Sequence, residues 1–183
     1  AMDFGSENTS PVHPAFVNAV VAANQGYATN FEAEAWTDRA LACLQDFFET
    51  KELCAFTVAT GTAANAIALG AMVPPYGSIL CHWEAHIVTD ECGAPEMFSS
   101  GARQIPLPGE HGRISVQALA THLQEARIGV VHAIQPSALS LTNLTEAGTA
   151  YSPDETAALT RVAAKAGLGV HLDGARFANA AAF

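Results

Sequence analysis

The sequence predicts an α/β protein of three layers, α/β/α, built around a mostly parallel sheet. Three observations lead there. Short apolar runs suited to buried strands alternate with longer stretches of helical spacing. Residues 53–83 carry no formal charge, yet Thr60–Gly61–Thr62, Asn65 and Pro74–Pro75 interrupt them. That stretch therefore reads as strand, loop, helix and loop inside a core, and not as a membrane span. Half of the 183 residues are hydrophobic and 14% are charged, the balance of a packed domain and not of a disordered chain.

Taken in order, Gly5–Ser6–Glu7–Asn8–Thr9–Ser10 is a polar leading loop. Residues 1–14 form an N-terminal segment ahead of one domain over 15–183, and Ala1 before Met2 reads as a tag remnant. Pro11 and Pro14 start an apolar helix over Ala15–Ala23. A loop spans Gln25–Asn30. From Glu34 to Lys51, Trp36, Ala40, Leu41, Leu44, Phe47 and Phe48 recur at amphipathic helical spacing. Buried strands are expected at Cys54–Val58, Ser78–His82, Arg103–Pro106, Ile128–Ile134 and Gly169–Asp173, with helices at Thr62–Met72, Ser115–Ala126 and Pro153–Ala166. The order implies βαβ units. The last strand is followed almost directly by Ala180–Ala181–Ala182–Phe183, with no capping element or polar tail. The sheet reads as unfinished, so the expectation is the front part of a longer protein.

The net charge of −10 argues against nucleic acid or an anionic membrane as partner, because both need clustered Lys and Arg. A small anionic ligand needs only local positive potential. Cys43, Cys54, Cys81 and Cys92 show no CxxC spacing and read as reduced thiols of a cytoplasmic protein.

Four stretches carry chemistry. In His171–Leu172–Asp173–Gly174–Ala175–Arg176 a strand ends by delivering an acid and a base at its carboxyl edge, where open α/β sheets bind ligands. The pair suits a ligand with one cationic and one anionic group, although a solvated turn with a local ion pair would show the same pattern. Val58–Ala59–Thr60–Gly61–Thr62–Ala63–Ala64–Asn65 runs from strand through a glycine turn into an Ala-rich helix. The free N–H groups of such a helix start suit a phosphate. Without Lys it is not a P-loop, so a small phosphorylated cofactor fits better than a nucleoside triphosphate. An ordinary Thr-capped helix is the plainer alternative. In Cys81–His82–Trp83–Glu84–Ala85–His86, three readings stand open: a zinc site in which His82, Glu84 and His86 alternate onto one face of an extended segment, a histidine stacked on a cofactor ring, or a loop histidine with a polar partner. Leu141–Thr149 is a polar loop near the edge that carries Asp173, unspecific as chemistry.

Together the SENT loop, the ATGTAAN turn, the EAH segment, the TEAGT loop and HLDGAR resemble the threonine aldolase family, in motif order and spacing from about Phe4 to Phe183. The match is closest to the low-specificity L-threonine aldolase and phenylserine aldolase branch of the fold-type I pyridoxal-phosphate enzymes. The resemblance implies the large domain of that fold with pyridoxal 5'-phosphate as cofactor. It implies a phosphate cup from Gly61, Thr62 and the Ala63 amide, and His86 stacked over the pyridine ring and handling the substrate hydroxyl. It implies Asp173 against the pyridine nitrogen, where a carboxylate keeps the nitrogen protonated. Arg176 would lie near the ring hydroxyl and the substrate carboxylate, with Ser6 close to that carboxylate. Two departures stand out. The family's YGDDP-like stretch is here Phe31–Glu32–Ala33–Glu34–Ala35. Where the bacterial aldolases best known for threonine carry an asparagine–threonine–histidine loop, this chain has Asn143–Leu144–Thr145, without the second histidine, as is usual for the low-specificity branch. No Lys follows Asp173, while Lys51 and Lys165 fall on helical patterns, so the lysine that anchors the cofactor is expected from a continuation of the chain.

The function so implied is aldol cleavage of a β-hydroxy-α-amino acid (threonine, allo-threonine or phenylserine) to glycine and an aldehyde, by a homodimer or homotetramer. Its rivals are a β-eliminating lyase or aminotransferase of the same fold, a metal-dependent hydrolase using His82, Glu84 and His86, and a non-catalytic fragment.

Overall fold

The computed structural model describes residues 9–29 and 34–182. Ser6 and residues 31–33 of the departing YGDDP-like stretch lie outside the described residues. The chain divides into two compact units, Ala1–Thr57 and Val58–Phe183.

The first unit holds helices α1 (Pro14–Ala23) and α2 (Ala35–Phe47). Both begin as their sequences dictate. His13 caps α1 by accepting the Ala15 N–H through Nδ1 at 3.2 Å, and proline stands in the first turn. Glu34 caps α2 by accepting from Trp36 N at 2.6 Å and Thr37 N at 2.8 Å. Helix α2 is shorter than the apolar spacing suggested. It stops at Phe47, before Glu49 takes φ +53°. The strand expected at Cys54–Val58 does not form. Cys54 is exposed, Phe56 is 78% exposed, and no other strand pairs with these residues.

The second unit is the α/β sandwich. Helix α3 (Gly61–Met72) leads to β1 (Gly77–His82), the short helices α4 (His86–Thr89) and α5 (Ala94–Phe98), and β2 (Arg103–Leu107). A two-stranded hairpin, β3 (Gly109–Glu110) and β4 (Arg113–Ile114), precedes α6 (Val116–Glu125). Then come β5 (Gln135–Thr142), α7 (Pro153–Lys165), β6 (Gly169–Asp173) and α8 (Phe177–Ala182). The main sheet is parallel throughout, in the order β2-β1-β5-β6.

Period-two alternation divides its side chains between two cores. Ile79, Cys81 and Ala138 pack with Leu69 of α3 and with Val73 just past its end on one face. Leu80, Leu139 and Leu141 pack with Leu119 of α6 and Leu159 and Ala163 of α7 on the other. With helices on both faces, the three-layer α/β/α architecture holds. Among the described residues no helix is long and apolar enough to cross a membrane.

One strand lies later than expected. Residues 128–134 form turns in place of a strand: Gly129 takes φ +80°, and Val131 is fully exposed. The Gln135 side chain organises these turns, accepting the Gly129 N–H at 2.8 Å and donating to Ala133 O at 2.8 Å. Strand β5 starts at Gln135, and its buried portion is Ala138–Thr142.

The order places a topological switch point between β1 and β5. The chain leaves β1 for β2 on one side and returns to β5 on the other, opening a crevice at the carboxyl ends of the strands.

Candidate functional site

Asp173 is the last residue of β6, paired in register with Thr142 of β5, and is only 8% exposed. Its carboxylate is doubly held. Oδ1 accepts the Ala175 N–H at 3.0 Å, so the Gly174–Ala175 turn wraps back onto it, and Oδ2 accepts from Asn65 Nδ2 at 3.0 Å.

Asn65 is four residues into α3, and α3 begins at the glycine turn. Thr60 is its N-cap: Oγ1 accepts the Ala63 N–H at 3.1 Å and the Thr60 carbonyl accepts the Ala64 N–H at 3.1 Å. Of the first-turn amides, those of Gly61 and Thr62 are left without an acceptor among the described residues. A side chain at Gly61 would meet nothing within 4 Å, so the helix start faces open space. A rise of about 1.5 Å per residue puts this positive end roughly 6 Å along the axis from Asn65.

The same Asn65 amide also donates to Glu91 Oε1 at 2.7 Å, and that oxygen is 2.9 Å from His86 Nδ1. His86 opens α4, and its side chain is 41% exposed against 0% for Glu91. A continuous path of hydrogen bonds thus joins His86, Glu91, Asn65 and Asp173. On β6, two residues before Asp173, the buried His171 has its Nδ1 2.9 Å from Ser140 Oγ of the neighbouring β5. Burial holds the His171 imidazole below its ordinary range, opposed by the neighbouring Asp173 and Glu91 carboxylates.

Arg176 is gripped by the loop after β5. Its Nε and Nη2 both donate to the Leu144 carbonyl at 3.2 Å, and Nη2 also pairs with Glu146 at 3.0 Å. The loop itself is pinned. Asn143 and Tyr151 exchange side-chain and backbone hydrogen bonds at 3.1 and 3.2 Å, and Thr149 Oγ1 donates to His111 O of the hairpin at 2.6 Å. The TEAGT loop, unspecific in the sequence, therefore aims Arg176.

The structure brings Gly61, Thr62, Ala63, His86, Asp173 and Arg176 into the second unit, with Asp173 and His86 joined through Asn65 and Glu91. Sequence reasoning gave Asn65 and Glu91 no role of their own, and weighed a Thr cap at this turn only as the plainer alternative to a phosphate site. The one signal available for Asn65 was a lone amide in an otherwise Ala-rich apolar helix. The zinc reading of His82, Glu84 and His86 is overturned. The segment turns after His82, which points to Gly109 O at 3.3 Å, while His86 sits on the next helix against Glu91. Among the described residues no group of three His, Cys, Asp or Glu could hold a metal.

Comparison with known proteins bears on this arrangement. The family model described as Beta-eliminating lyase matches residues 3–183. A low specificity L-threonine aldolase of Pseudomonas aeruginosa is 39% identical over 98% of this chain and 51% of its own length. One from a Pseudomonas species is 37% identical over 100% of this chain and 52% of its own length. The chain thus spans about half the length of the curated relatives it matches. Among solved structures, a threonine aldolase of Leishmania major superposes with a TM-score of 0.87 at 25% identity, over 94% of this chain and 49% of that one. A serine palmitoyltransferase of S. paucimobilis shares the fold, with a TM-score of 0.59 at 20% identity over 87% of this chain and 37% of that one.

Proposed function

The chain belongs to the beta-eliminating lyase family, and from that premise we propose that it forms the cofactor-binding part of a pyridoxal-phosphate aldolase. The substrates would be β-hydroxy-α-amino acids such as threonine, allo-threonine or phenylserine, and the products glycine and an aldehyde. Residues 15–183 would act as one cofactor-binding domain behind the leading segment 1–14. The observation that carries the reading is the buried Asp173 carboxylate at the end of β6, tied through Asn65 to the start of α3.

The donor set fits the cofactor. The Gly61 and Thr62 amides, with the Thr62 hydroxyl, present free donors at a positive helix end to a phosphate, and the absent side chain at Gly61 keeps the approach clear. Ala63 adds its amide only where Thr60 rotates away from it. Asp173 offers a negative charge to a protonated ring nitrogen, which Asn65 and the Ala175 amide orient without neutralising. When bound, the cofactor supplies a charged ring that takes up the electrons of the breaking Cα–Cβ bond. His86, part-exposed and joined to Asp173 through Glu91 and Asn65, would lie against the ring and accept the proton of the substrate's β-hydroxyl. Arg176, whose Nε and Nη2 are held by Leu144 and Glu146, would offer its remaining Nη1 donors to the substrate carboxylate or the ring hydroxyl. The similarity to threonine aldolases supports aldol cleavage over elimination or transamination. Assembly as a homodimer or homotetramer and a cytoplasmic location belong to the same proposal.

The test uses the full-length protein with added pyridoxal phosphate and L-threonine, L-allo-threonine or phenylserine. Glycine and the matching aldehyde in equal amounts are expected. Ammonia with an oxo acid would replace the aldolase by an eliminating lyase, and no cofactor uptake would overturn the reading outright.

A further inference from the structure

We propose that Glu91 is the positioning residue that makes His86 a proton acceptor, and that Asn65 locks this pair to Asp173. The inference rests on the aldolase reading for its chemistry but on geometry for its structure. Glu91 is 3% exposed, and a single oxygen, Oε1, receives both Asn65 Nδ2 at 2.7 Å and His86 Nδ1 at 2.9 Å. Oε1 acts as an acceptor toward Asn65, and accepting again from the ring puts the hydrogen of the second contact on His86 Nδ1. In the neutral ring this leaves the lone pair on Nε2. Glu91 thereby selects the tautomer and fixes the plane of the imidazole, as a buried acid does for other catalytic histidines.

Asn65 supplies the second half of the device. Its amide has two hydrogens, and each goes to a different buried carboxylate, Glu91 and Asp173. Two negative groups that would repel are bridged, and the histidine is set at a fixed place relative to Asp173. The other Glu91 oxygen, Oε2, is buried with no partner among the described residues. A hydrophobic residue would avoid that cost. What the carboxylate contributes is an anchor for Nδ1–H and a negative charge beside the ring when Nε2 takes up a proton. In the forward step the β-hydroxyl O–H bond breaks, its proton goes to Nε2, and the oxygen keeps the electron pair. As the aldehyde forms, the oxygen's electron pair becomes its carbonyl bond and Nε2 passes the proton on to the Cα of the leaving glycine, with no proton moving to Glu91.

The test compares the full-length wild type with Glu91→Gln and Glu91→Leu. The first readout is the low-field proton resonance of His86 Nδ1–H in water, assigned by its loss in His86→Phe. It should be present in the wild type, move upfield with the neutral acceptor of Glu91→Gln, and vanish in Glu91→Leu. The second is the kinetic split: kcat should fall about 10-fold in Glu91→Gln and about 100-fold in Glu91→Leu, with KM nearly constant. A resonance that is absent from the wild type, or that survives in Glu91→Leu, overturns the proposal, as does an unchanged kcat. Should Glu91→Leu fail to fold, Glu91→Gln decides alone: an unmoved resonance refutes the pairing. If the protein cleaves no β-hydroxy amino acid, the aldolase reading falls while the resonance still decides whether Glu91 holds His86.

Discussion

Replacing Tyr151 by Phe tests how the loop that aims Arg176 is fastened. Tyr151 is 5% exposed in the core on the α6–α7 side of the sheet, and its hydroxyl oxygen accepts the Ile114 N–H at 2.6 Å. The Phe variant keeps the ring but strands a buried backbone donor, which costs about 1–3 kcal/mol near neutral pH. The structure adds a second, independent signature. Burial pushes the Tyr151 hydroxyl up to about 12, outweighing the Ile114 N–H and Arg113, which pull it down. An unfolded phenol ionises near pH 10, so above that pH the unfolded chain binds fewer protons than the folded one and stability falls as pH rises. Between about pH 10 and 12 the wild type should lose on the order of 2 kcal/mol that the Phe variant does not. Urea unfolding followed by tryptophan fluorescence, run at both ends of this range, measures the gap. The gap should be clear at neutral pH and shrink or close in alkali. Equal stabilities at neutral pH would refute the hydrogen bond, and a constant gap would refute the buried phenol.

Two further outcomes follow from buried groups. The unfolded His171 imidazole takes up a proton near pH 6.5 while the buried, folded one resists it, so stability is fully present above that pH and is lost as pH falls through it. Thermal unfolding of His171→Gln should therefore depend less on pH over the mildly acidic range than that of the wild type, and parallel curves would refute the assignment. Burial, with the Glu96 carboxylate adding to it, pushes the Cys81 thiol up to about 12, whereas Cys43, Cys54 and Cys92 are exposed. Peptide mapping after brief alkylation of the native protein at neutral pH should find Cys81 alone unmodified, and labelling of all four at similar rates would contradict the core placement.

What the sequence made legible was whatever local pattern controls. Strands β1, β2 and β6 announced themselves because Ile79–Cys81, Ile105 and Val170 sit between turn residues, and α3, α6 and α7 because capping residues stand at their starts. The failures share one cause. Cys54–Val58 and residues 128–134 have the composition of strands, but a strand needs a neighbour, and pairing is not a local property. Gly129 at positive φ and an exposed Val131 show how the second stretch escapes the sheet. In the site, the HLDGAR and ATGTAAN motifs were visible as stretches, whereas the bond between Asn65 and Asp173 spans 108 residues. Glu91 looked like one acid in a loop. Only the turn that follows α4 brings it back against His86, five residues earlier, as that residue's partner.

The grip on Arg176 has an evolutionary side. Its two N–H donors meet the carbonyl of Leu144, an atom that every amino acid possesses. Mutation at position 144 can change the side chain without touching the hold on the guanidinium, so drift there explores new shapes beside a cation whose aim is preserved. What cannot drift so freely is the path of the chain, which depends on hydrogen bonds between Asn143 and Tyr151 within the loop and between Thr149 and His111 of the hairpin. Selection for altered substrate preference would therefore find position 144 permissive and those fastening positions costly. The protein keeps its variability and its precision in the same loop, one in the side chains and the other in the backbone.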